Sequence, residues 1–460
     1  MKKIIPQSLK NIYHLFQAIF ANVWYGFPSR RLLVIGVTGT NGKTTTTQMI
    51  AKVLEESGFK IAVVSTINFK IAEKEWVNKS KFTTLSSFAV QKFLKQAVGA
   101  GCEYAVLEIS SHSLDQNRVW GTDFDVAVIT NVTREHLDYH ETMEEYAKVK
   151  GRLFSGLGRC GKLGESVAIV NLGMEFADNF LKYDADERYG YILETQNAKR
   201  KTQNHSAKLK TVVAEQIELE INYSKFQISN FKFQIFLPGE FNIENALAAT
   251  CVGLSQNIPL EKISAALAKI KGVPGRMEKI ENNRNLEIIV DYAVTPDSLE
   301  KLYDYLNGIR KEGSKIIAVF GSCGERDRGK RPIMGEIVAR HADYCIVTNE
   351  DPYHEDPQQI IDEVFAGVVG RDFPKARLFP SSSEALKIPQ SQALENTKTE
   401  GVDAFRMLDR REAIKTALQI AKPGDIVVVT GKGAEEMMAV GDKMVPWNDP
   451  KVIREILAEL

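Results

Sequence analysis

The segment that most constrains the fold lies at residues 34–47 and reads VIGVTGTNGKTTTT. It predicts an apolar strand over residues 32–35, a glycine-rich turn and a helix that starts at residues 43–45, which is the order of a phosphate-binding loop. Glycines let backbone N–H groups close around phosphate oxygens, Lys43 can reach the β- and γ-phosphates, and Thr44 can hold Mg²⁺. The strict pattern requires glycine where Val37 stands, so the loop is a variant. The segment indicates that the chain binds a nucleoside triphosphate.

The composition is that of an ordinary folded protein, and 460 residues are enough for two or three domains. Lys plus Arg and Asp plus Glu number 59 each, so the overall charge gives no indication of a nucleic-acid partner. The five cysteines are scattered without a CxxC pair, which argues against a zinc ribbon and against a disulfide framework. We therefore expect a cytoplasmic protein, and we expect it to act as a monomer.

The first 30 residues predict an amphipathic helix. Apolar residues recur there at helical spacing, with Lys10, His14 and Gln17 on the opposite side; they are Ile5, Leu9, Ile12, Phe16, Ile19, Phe20 and Val23. Two interpretations remain open. The apolar side can pack on the following domain, or it can make peripheral contact with a membrane, which the basic start, Trp24 and Tyr25 favour.

Residues 31 to about 160 alternate short apolar strands with helices, a pattern that predicts a parallel sheet covered by helices on both faces. Residues 187–237 have strand-like alternation, which predicts antiparallel strands appended to that sheet. The polar stretch KGVPGRMEKIENNRN indicates a boundary, and a second α/β series follows it. The predicted fold is therefore α/β: an N-terminal helical segment (1–30), a phosphate-loop ATPase-type parallel-sheet domain (31–274) and a Rossmann-like C-terminal domain (275–460).

Polar residues follow the predicted strands where open α/β sheets place their sites. Glu108 ends the strand YAVLEIS beside the phosphate loop, and a carboxylate there is well placed to help hold Mg²⁺. His136 and His140 stand four residues apart in TNVTREHLDYH, but without the HExxH pattern a dedicated zinc site is not favoured. His136 is either a polar loop residue or a ligand of a second metal ion.

Eight motifs occur in one order along the chain: VTGTNGKTTT, LEISSHSLDQNRV, TNVTREHLDYHETMEEYAKVKGRLF, LPGEFNIENALAA, GVPGRME, VDYAVTPDSLE, VFGSCGERDRGKRPIMGEIV and GDIVVVTGKGAEE. Together they strongly resemble the Mur ligase family over roughly residues 31–450. Within that family they are most similar to the members that add the third residue of the peptidoglycan stem peptide.

The resemblance implies an ADP-forming amide-bond ligase. ATP would phosphorylate a muramoyl-peptide carboxylate to an acyl phosphate, and the amine of an amino acid would displace phosphate. The loop that binds ATP would comprise Gly39, Thr40, Asn41, Gly42, Lys43, Thr44 and Thr45. Two Mg²⁺ ions would be held by Thr44, Glu108, His136 and a carbamylated Lys150. The catalytic set would be Lys43, Glu108, His136, Lys150 and Arg276.

The remaining site residues are also implied by the resemblance. Asn242 and Asn245 would contact adenine, and Arg276 and Asp291 would contact the ribose and phosphates. The muramoyl-peptide carboxylates would be met by Thr83, Thr84, Ser110, Gln116 and Arg118. The incoming amino acid would be met by Arg328, Asp351, Gly431 and Glu435.

The chain departs from the family pattern in four places, the mildest being Thr83-Thr84-Leu85 in place of Thr-Thr-Pro and Arg134-Glu135-His136 in place of Arg-Asp-His. The phosphate loop begins so close to residue 1 that we expect the usual N-terminal UDP-binding domain to be missing or reduced to one helix. The acceptor could therefore be a lipid-linked precursor or a folylpolyglutamate-type substrate instead of a UDP-linked one. A further alternative is that the protein is a catalytically silent, membrane-associated nucleotide-binding relative. Glu350-Asp351-Pro352-Tyr353 replaces Asp-Asn-Pro-Arg, so diaminopimelate is not supported as the amino acid. Val294 and Ala434 replace family histidines.

Overall fold

A computed structural model describes residues 7–80, 82–158, 165–197, 209–370 and 398–460. The chain divides into two compact units. The first comprises Met1–Thr133 and His140–Lys271, and the second comprises Arg134–Tyr139 and Gly272–Leu460.

The first unit is built on the alternation of strand and helix that the sequence predicts. Its strands are β1 (Leu33–Thr38), β2 (Ile61–Val64), β3 (Asn68–Ile71), β4 (Lys74–Val77), β5 (Tyr104–Glu108), β6 (Val126–Ile129), β7 (Val167–Asn171), β8 (Glu187–Leu193), β9 (Leu209–Leu219), β10 (Ser224–Ile228) and β11 (Phe231–Ile235). Its helices are α1 (Gln7–Tyr25), α2 (Lys43–Glu56), α3 (Ser87–Gly99), α4 (Ser111–Asp115), α5 (Leu137–His140, shared with the second unit), α6 (Met143–Phe154), α7 (Ala177–Leu181), α8 (Glu194–Asn197), α9 (Glu240–Ser255) and α10 (Leu260–Leu267).

All eleven strands form one sheet, in the order β11-β10-β9-β8-β7-β6-β1-β5-β2-β3-β4. The strands from β9 to β2 run parallel, and β5, β1, β6 and β7 are almost wholly buried because helices cover both faces. The expectation of antiparallel structure from residue 187 was wrong for β8 and for the β8–β9 pair, which are parallel. Only β10 and β11 run antiparallel at that end, and the hairpin β3–β4 extends the other end.

The second unit contains a six-stranded sheet in the order β12-β13-β17-β14-β15-β16, parallel except for β12. Its elements are β12 (Glu278–Ile280), β13 (Glu287–Asp291), α11 (Pro296–Ile309), β14 (Ile316–Phe320), α12 (Lys330–His341), β15 (Tyr344–Thr348), α13 (Pro357–Val368), β16 (Ala404–Met407), α14 (Arg410–Ile420), β17 (Ile426–Thr430), β18 (Met437–Val440), β19 (Lys443–Pro446) and α15 (Asp449–Glu459). A capping box at Thr295 and a proline in the first turn start α11. Apolar side chains of β13, β14, β15 and β17 form the core with α14 and α15.

Helix α1 packs on α3 with its small and polar side. Ala18, Ala21 and Asn22 are completely buried, whereas the large apolar residues of the predicted stripe that lie on the other side are exposed. Ile5 of that stripe lies outside the described residues. Across the described ranges, none of the helices combines the length and apolar character needed to cross a membrane.

Candidate active site

The phosphate loop joins β1 to α2 and depends on two glycines. Gly39 has φ 150° and Gly42 has φ 82°, backbone conformations that glycine adopts far more readily than other residues. A Cβ built on Gly39 would lie only 1.8 Å from Oγ1 of Thr130. Glycine is therefore required at position 39 by both backbone conformation and space.

The end of β6 holds this loop in shape. Thr130 Oγ1 donates to the Asn41 carbonyl at 2.6 Å, and Asn131 Oδ1 accepts from the Asn41 N–H at 2.8 Å. The Asn131 carbonyl accepts from the N–H of Thr40 at 2.9 Å. The loop is thus preorganised by main-chain and side-chain contacts. Helix α2 begins where the loop ends, so the positive end of its dipole lies at the loop.

Two lysines converge on the carbonyl of Gly39. Lys43 Nζ donates to it at 3.1 Å and to the Thr40 carbonyl at 2.8 Å. Lys150 of α6 donates to the same Gly39 carbonyl at 2.8 Å, lies 4.3 Å above the ring of Tyr146 and is 1% exposed. The structure therefore brings Lys150 to the phosphate loop although 111 residues separate it from Gly39.

Thr44 and Glu108 form a buried pair of oxygen donors beside the loop. Thr44 Oγ1 lies 3.1 Å from both carboxylate oxygens of Glu108, and both residues are buried. Thr66, which follows β2, donates its N–H to Oε2 of Glu108 at 2.8 Å and its hydroxyl to Oε1 at 3.0 Å. A carboxylate with flanking hydroxyls suits Mg²⁺, which prefers hard oxygen ligands. Sequence reasoning missed Thr66, although its position after a parallel strand was a usable signal.

The residues predicted to bind the muramoyl-peptide carboxylates form one hydrogen-bonded network with the end of β5, the strand that carries Glu108. Thr84 Oγ1 donates to the Glu108 carbonyl at 2.9 Å and accepts from the Ser110 N–H at 2.9 Å. Thr83 Oγ1 lies 3.1 Å from Thr66 Oγ1, which accepts a hydrogen bond from it because the Thr66 hydroxyl donates to Glu108.

Arg118 completes that network. Its Nη1 donates to the Thr84 carbonyl at 3.4 Å, and its Nη2 donates to Oε1 of Gln116 at 2.5 Å. The guanidinium lies 5.7 Å from the ring centre of the exposed Phe82. A guanidinium held in this way can bind a carboxylate by donating two parallel hydrogen bonds to it.

Asn245 packs against the first turn of α2 and is hydrogen-bonded to Asn242. Asn245 Oδ1 accepts from the Thr46 hydroxyl at 3.0 Å, and its Nδ2 donates to Asn242 Oδ1 at 3.2 Å. A Cβ on Gly42 would lie 2.4 Å from Asn245 Oδ1, so α9 and the loop are in close contact. Thr45 is buried in the same turn. Contact of the two asparagines with adenine remains a prediction.

His140 belongs to the first unit, whereas His136 belongs to the second. The ring of His140 is buried next to Tyr146, with Nε2 3.0 Å from Ser111 Oγ. Burial and then the Lys150 cation lower the pKa of His140 to about 4, which keeps it neutral. His136 adopts φ 57°, and its Nδ1 lies 4.0 Å from Glu135 Oε1.

Within the second unit, Glu135 pairs with a lysine that sequence reasoning did not single out. Lys330 Nζ lies 3.0 and 3.3 Å from the two carboxylate oxygens of Glu135 and 2.9 Å from the Val294 carbonyl. Burial lowers the pKa of Lys330, but the charge and hydrogen bonds of Glu135 outweigh it, so the pKa is raised. This buried pair ties the segment that carries His136 to α12.

Arg276 and Asp291 occupy neighbouring positions at the start of the second unit. Arg276 stacks on Tyr292 at 4.4 Å, and Asp291 Oδ2 accepts from the Met277 N–H at 2.7 Å. Burial raises the pKa of Asp291, and Arg276 opposes that rise. Their contact with nucleotide remains a prediction.

The predicted amino-acid residues Asp351 and Glu435 share one buried cation. Lys432 Nζ donates to Asp351 Oδ2 at 2.7 Å, to Glu435 and to the Met437 carbonyl at 2.9 Å. Asp351 Oδ1 also accepts from the Ala439 N–H at 2.6 Å. Arg328 is placed differently, because its described ion pair is with Glu363 of α13.

Glu350 is a buried carboxyl that sequence reasoning considered only as part of a motif. Its Oε2 lacks a hydrogen-bond partner among the described residues, and a Cβ on Gly431 would lie 2.4 Å from that oxygen. Burial raises the pKa of Glu350 to about 7, although Arg410 opposes the rise. A buried carboxyl oxygen that accepts no hydrogen bond from the described part of the chain is suited to a cationic group.

The loop, the buried Thr44–Glu108 pair and the parallel sheet define the class of protein as a Mg²⁺-dependent, nucleoside-triphosphate-using α/β enzyme. Comparison with known proteins narrows this class. Residues 37–253 match the Mur ligase middle domain, and residues 275–433 match the Mur ligase glutamate ligase domain.

Individual relatives agree with these matches. A UDP-N-acetylmuramyl-tripeptide synthetase of Roseiflexus sp. is 39% identical over 96% of this chain and 82% of its own. A UDP-N-acetylmuramoyl-L-alanyl-D-glutamate--2,6-diaminopimelate ligase of Geobacillus thermodenitrificans is 37% identical over 99% of this chain and 84% of its own. A solved structure of such a diaminopimelate ligase covers 93% of this chain and 78% of its own, with 31% identity and a TM-score of 0.56. A folylpolyglutamate synthase of Mycobacterium tuberculosis, at 15% identity, TM-score 0.64 and 91% coverage of each chain, shares the fold.

The chain belongs to the Mur ligase family. It is an ATP-dependent ligase that forms amide bonds in peptidoglycan synthesis, as the resemblance in sequence predicted.

Proposed function

We propose that this enzyme adds an amino acid to the free carboxylate of a muramoyl peptide. The observation that carries the proposal is the direct connection between Glu108, whose side chain meets Thr44 of the phosphate loop, and Thr84, which binds the backbone of the same residue. A carboxylate held by Arg118 would then lie on the same network as the metal ligands. That arrangement suits transfer of a phosphoryl group to a carboxylate, with ADP leaving and an acyl phosphate formed.

We propose that Lys43 neutralises negative charge on the transferred phosphate together with a Mg²⁺ ion, which Thr44 and Glu108 would hold. Lys150, close to the loop, is the proposed carbamylated residue, because a carbamate would convert a buried cation into an anionic ligand for a second Mg²⁺. His136 is proposed as the other ligand of that ion. Two Mg²⁺ ions held by these residues would offset the negative charge that develops during phosphoryl transfer.

The incoming amino acid is proposed to bind in the second unit at Glu350, Asp351, Gly431 and Glu435. Lys432 neutralises much of the charge of Asp351 and Glu435, so Glu350 is left as the carboxyl to meet an amine. Tyr353 stands where diaminopimelate-adding relatives carry an arginine and lies 5.7 Å from Arg326. We therefore propose an amino acid other than diaminopimelate. Its amine would attack the acyl carbon, lose a proton and release phosphate.

The test is a coupled assay for phosphate release with Mg-ATP, UDP-muramoyl-dipeptide and a panel of amino acids, including lysine and diaminopimelate. We expect release that requires both the muramoyl substrate and one amino acid. Release that ignores the muramoyl substrate would reject the proposal. A Glu350→Gln variant should raise KM for the amino acid while leaving KM for ATP unchanged, with the exposed Glu312→Gln as control.

We further propose that the enzyme is a cytoplasmic monomer. Peripheral contact with a membrane through α1 forms part of this proposal, since a muramoyl peptide can be carried either by a nucleotide or by a lipid.

A further inference from the structure

Helix α1 presents its apolar side to the solvent. Seven large side chains on this side are between 50% and 69% exposed and follow one another at helical spacing; these residues, named the α1 face, are Leu9, Ile12, Tyr13, Phe16, Phe20, Val23 and Trp24. Isolated exposed apolar residues are common, but a contiguous row on one helix marks an interaction surface.

Contacts on the opposite side fix this orientation. Asn22 Nδ2 donates to the Trp120 carbonyl at 2.7 Å, and Asn11 Nδ2 donates to Asp115 Oδ2 at 3.0 Å. Ala18 is completely buried against the unit. Turning the α1 face inward would break these polar contacts and place bulky rings where alanine now fits. The exposure therefore follows from the packing of the helix.

The segment that contains α1 carries charge of one sign in its own sequence. The first 31 residues contain five basic residues and no acidic residue, in a chain whose formal net charge is zero. Arg30 keeps 53% of its side chain exposed even though it pairs with Asp123. Tyr13 and Trp24 have the amphipathic rings that favour the boundary between headgroups and hydrocarbon. Apolar area, aromatic rings and basic charge are the combination by which surface helices bind anionic bilayers.

We propose that the α1 face docks on the surface of an anionic lipid bilayer. The inference rests on the proposed membrane contact and specifies its residues and its lipid chemistry. Because α1 contacts Asp115 and Trp120, it borders the segment that carries Gln116 and Arg118. Docking would hold these acceptor residues about one helix diameter, roughly 10 Å, from the lipid surface.

The experiment measures co-sedimentation of the full-length protein with vesicles of phosphatidylcholine alone and of phosphatidylcholine with phosphatidylglycerol. The test variant is Phe16→Ser with Trp24→Ser, and the matched control is Val402→Ser with Leu408→Ser, which removes exposed apolar groups of the second unit. We expect the parent and the control to bind anionic vesicles, with weaker binding at high salt and on neutral vesicles. Loss of two aromatic groups that docking would bury in the bilayer should weaken binding about a hundredfold.

Vesicle binding requires no turnover, so failure of docking and failure of the ligase assay are separate results. Equal melting temperatures of all variants verify that they fold. Two outcomes would overturn docking: a parent that stays in the supernatant with both vesicle types, or a test variant that binds like the parent. Sedimentation velocity measures self-association of the parent and of the test variant. If the parent formed a dimer, did not bind vesicles, and lost the dimer in Phe16→Ser with Trp24→Ser, the α1 face would be assigned to a second copy of the chain.

Discussion

Replacing Glu108 by Gln tests the metal site with little change of shape. The carboxylate accepts from three donors: the Thr44 hydroxyl, the Thr66 N–H and the Thr66 hydroxyl. A glutamine can keep its oxygen toward the Thr66 N–H and turn its amide toward the two hydroxyls, which can rotate to accept. Each of these three hydrogen bonds loses about 1 kcal/mol when the charged carboxylate is replaced by the neutral amide.

Relief of a buried charge offsets most of that loss, because Glu108 is 1% exposed and removing an ion from water costs several kcal/mol. We therefore expect the melting temperature of Glu108→Gln to stay within about 4 °C of the parent. Activity should fall much further. Partners of a metal ligand are worth roughly 10- to 100-fold in metal affinity or activity, and loss of the ligand itself should cost at least about 100-fold.

The assay measures phosphate release across a range of Mg²⁺ concentrations. Glu103→Gln, an exposed glutamate just before the same strand, is the control and should match the parent. Thr66→Val removes one hydroxyl donor to the carboxylate but leaves the carboxylate in place, so its activity should fall by roughly 10- to 100-fold, less than that of Glu108→Gln. If Glu108→Gln kept activity within tenfold of the parent at every Mg²⁺ concentration, the assignment of Glu108 to the metal would be refuted.

Three further predictions address other parts of the site. Lys150→Ala should abolish most turnover and recover part of it when short carboxylic acids are added; full activity without them would exclude the carbamate. The pKa of Glu350 is raised to about 7, so the stability from its protonation is present at low pH and is lost as pH rises from about 4.5 through 7. Scanning calorimetry should therefore show Glu350→Gln melting above the parent at pH 8 but with little difference at pH 5, and an equal shift at both pH values would contradict this. Gly39→Ala should lose ATP binding, measured by titration calorimetry, because of the clash with Thr130 and a backbone strain of about 1–3 kcal/mol. Adding Thr130→Ala should recover only part of the affinity, and full recovery would mean that the backbone strain is negligible.

The phosphate loop and Glu108 could be predicted because their signals are local. A strand, a glycine turn and a helix start occupy one continuous segment, and a polar residue at the end of a buried strand marks the edge of the sheet that carries sites. Strand direction could not be predicted in the same way. The alternation in residues 187–237 indicates strands, but it does not distinguish β8, parallel to β7, from β10, antiparallel to β9.

Long-range partners also escaped prediction from the sequence. The periodicity of α1 predicts an apolar side but not what covers it, and the structure buries Ala18 and Asn22 instead of Phe16. Lys330 and Glu135 stand 195 residues apart, and neither belongs to a local pattern that predicts the pair. Such contacts depend on the packing of whole elements, which a single sequence does not specify.

Val294 and Ala434 occupy the positions of two histidines of the family pattern. At both positions the contacts seen in the structure are made by the backbone. The Val294 carbonyl accepts from Lys330 at 2.9 Å, a bond that any side chain at this position allows. At the other position, the backbone nitrogen of Ala434 lies close to Gly275: a Cβ built on Gly275 would come within 2.0 Å of that nitrogen. This contact, too, is made by the main chain. Replacement of the histidines therefore leaves these anchoring contacts in place and removes only imidazole chemistry. Glu350, with its pKa of about 7, is then the buried group beside Gly431 that titrates near neutral pH, so the pH dependence of amine binding should follow its carboxyl.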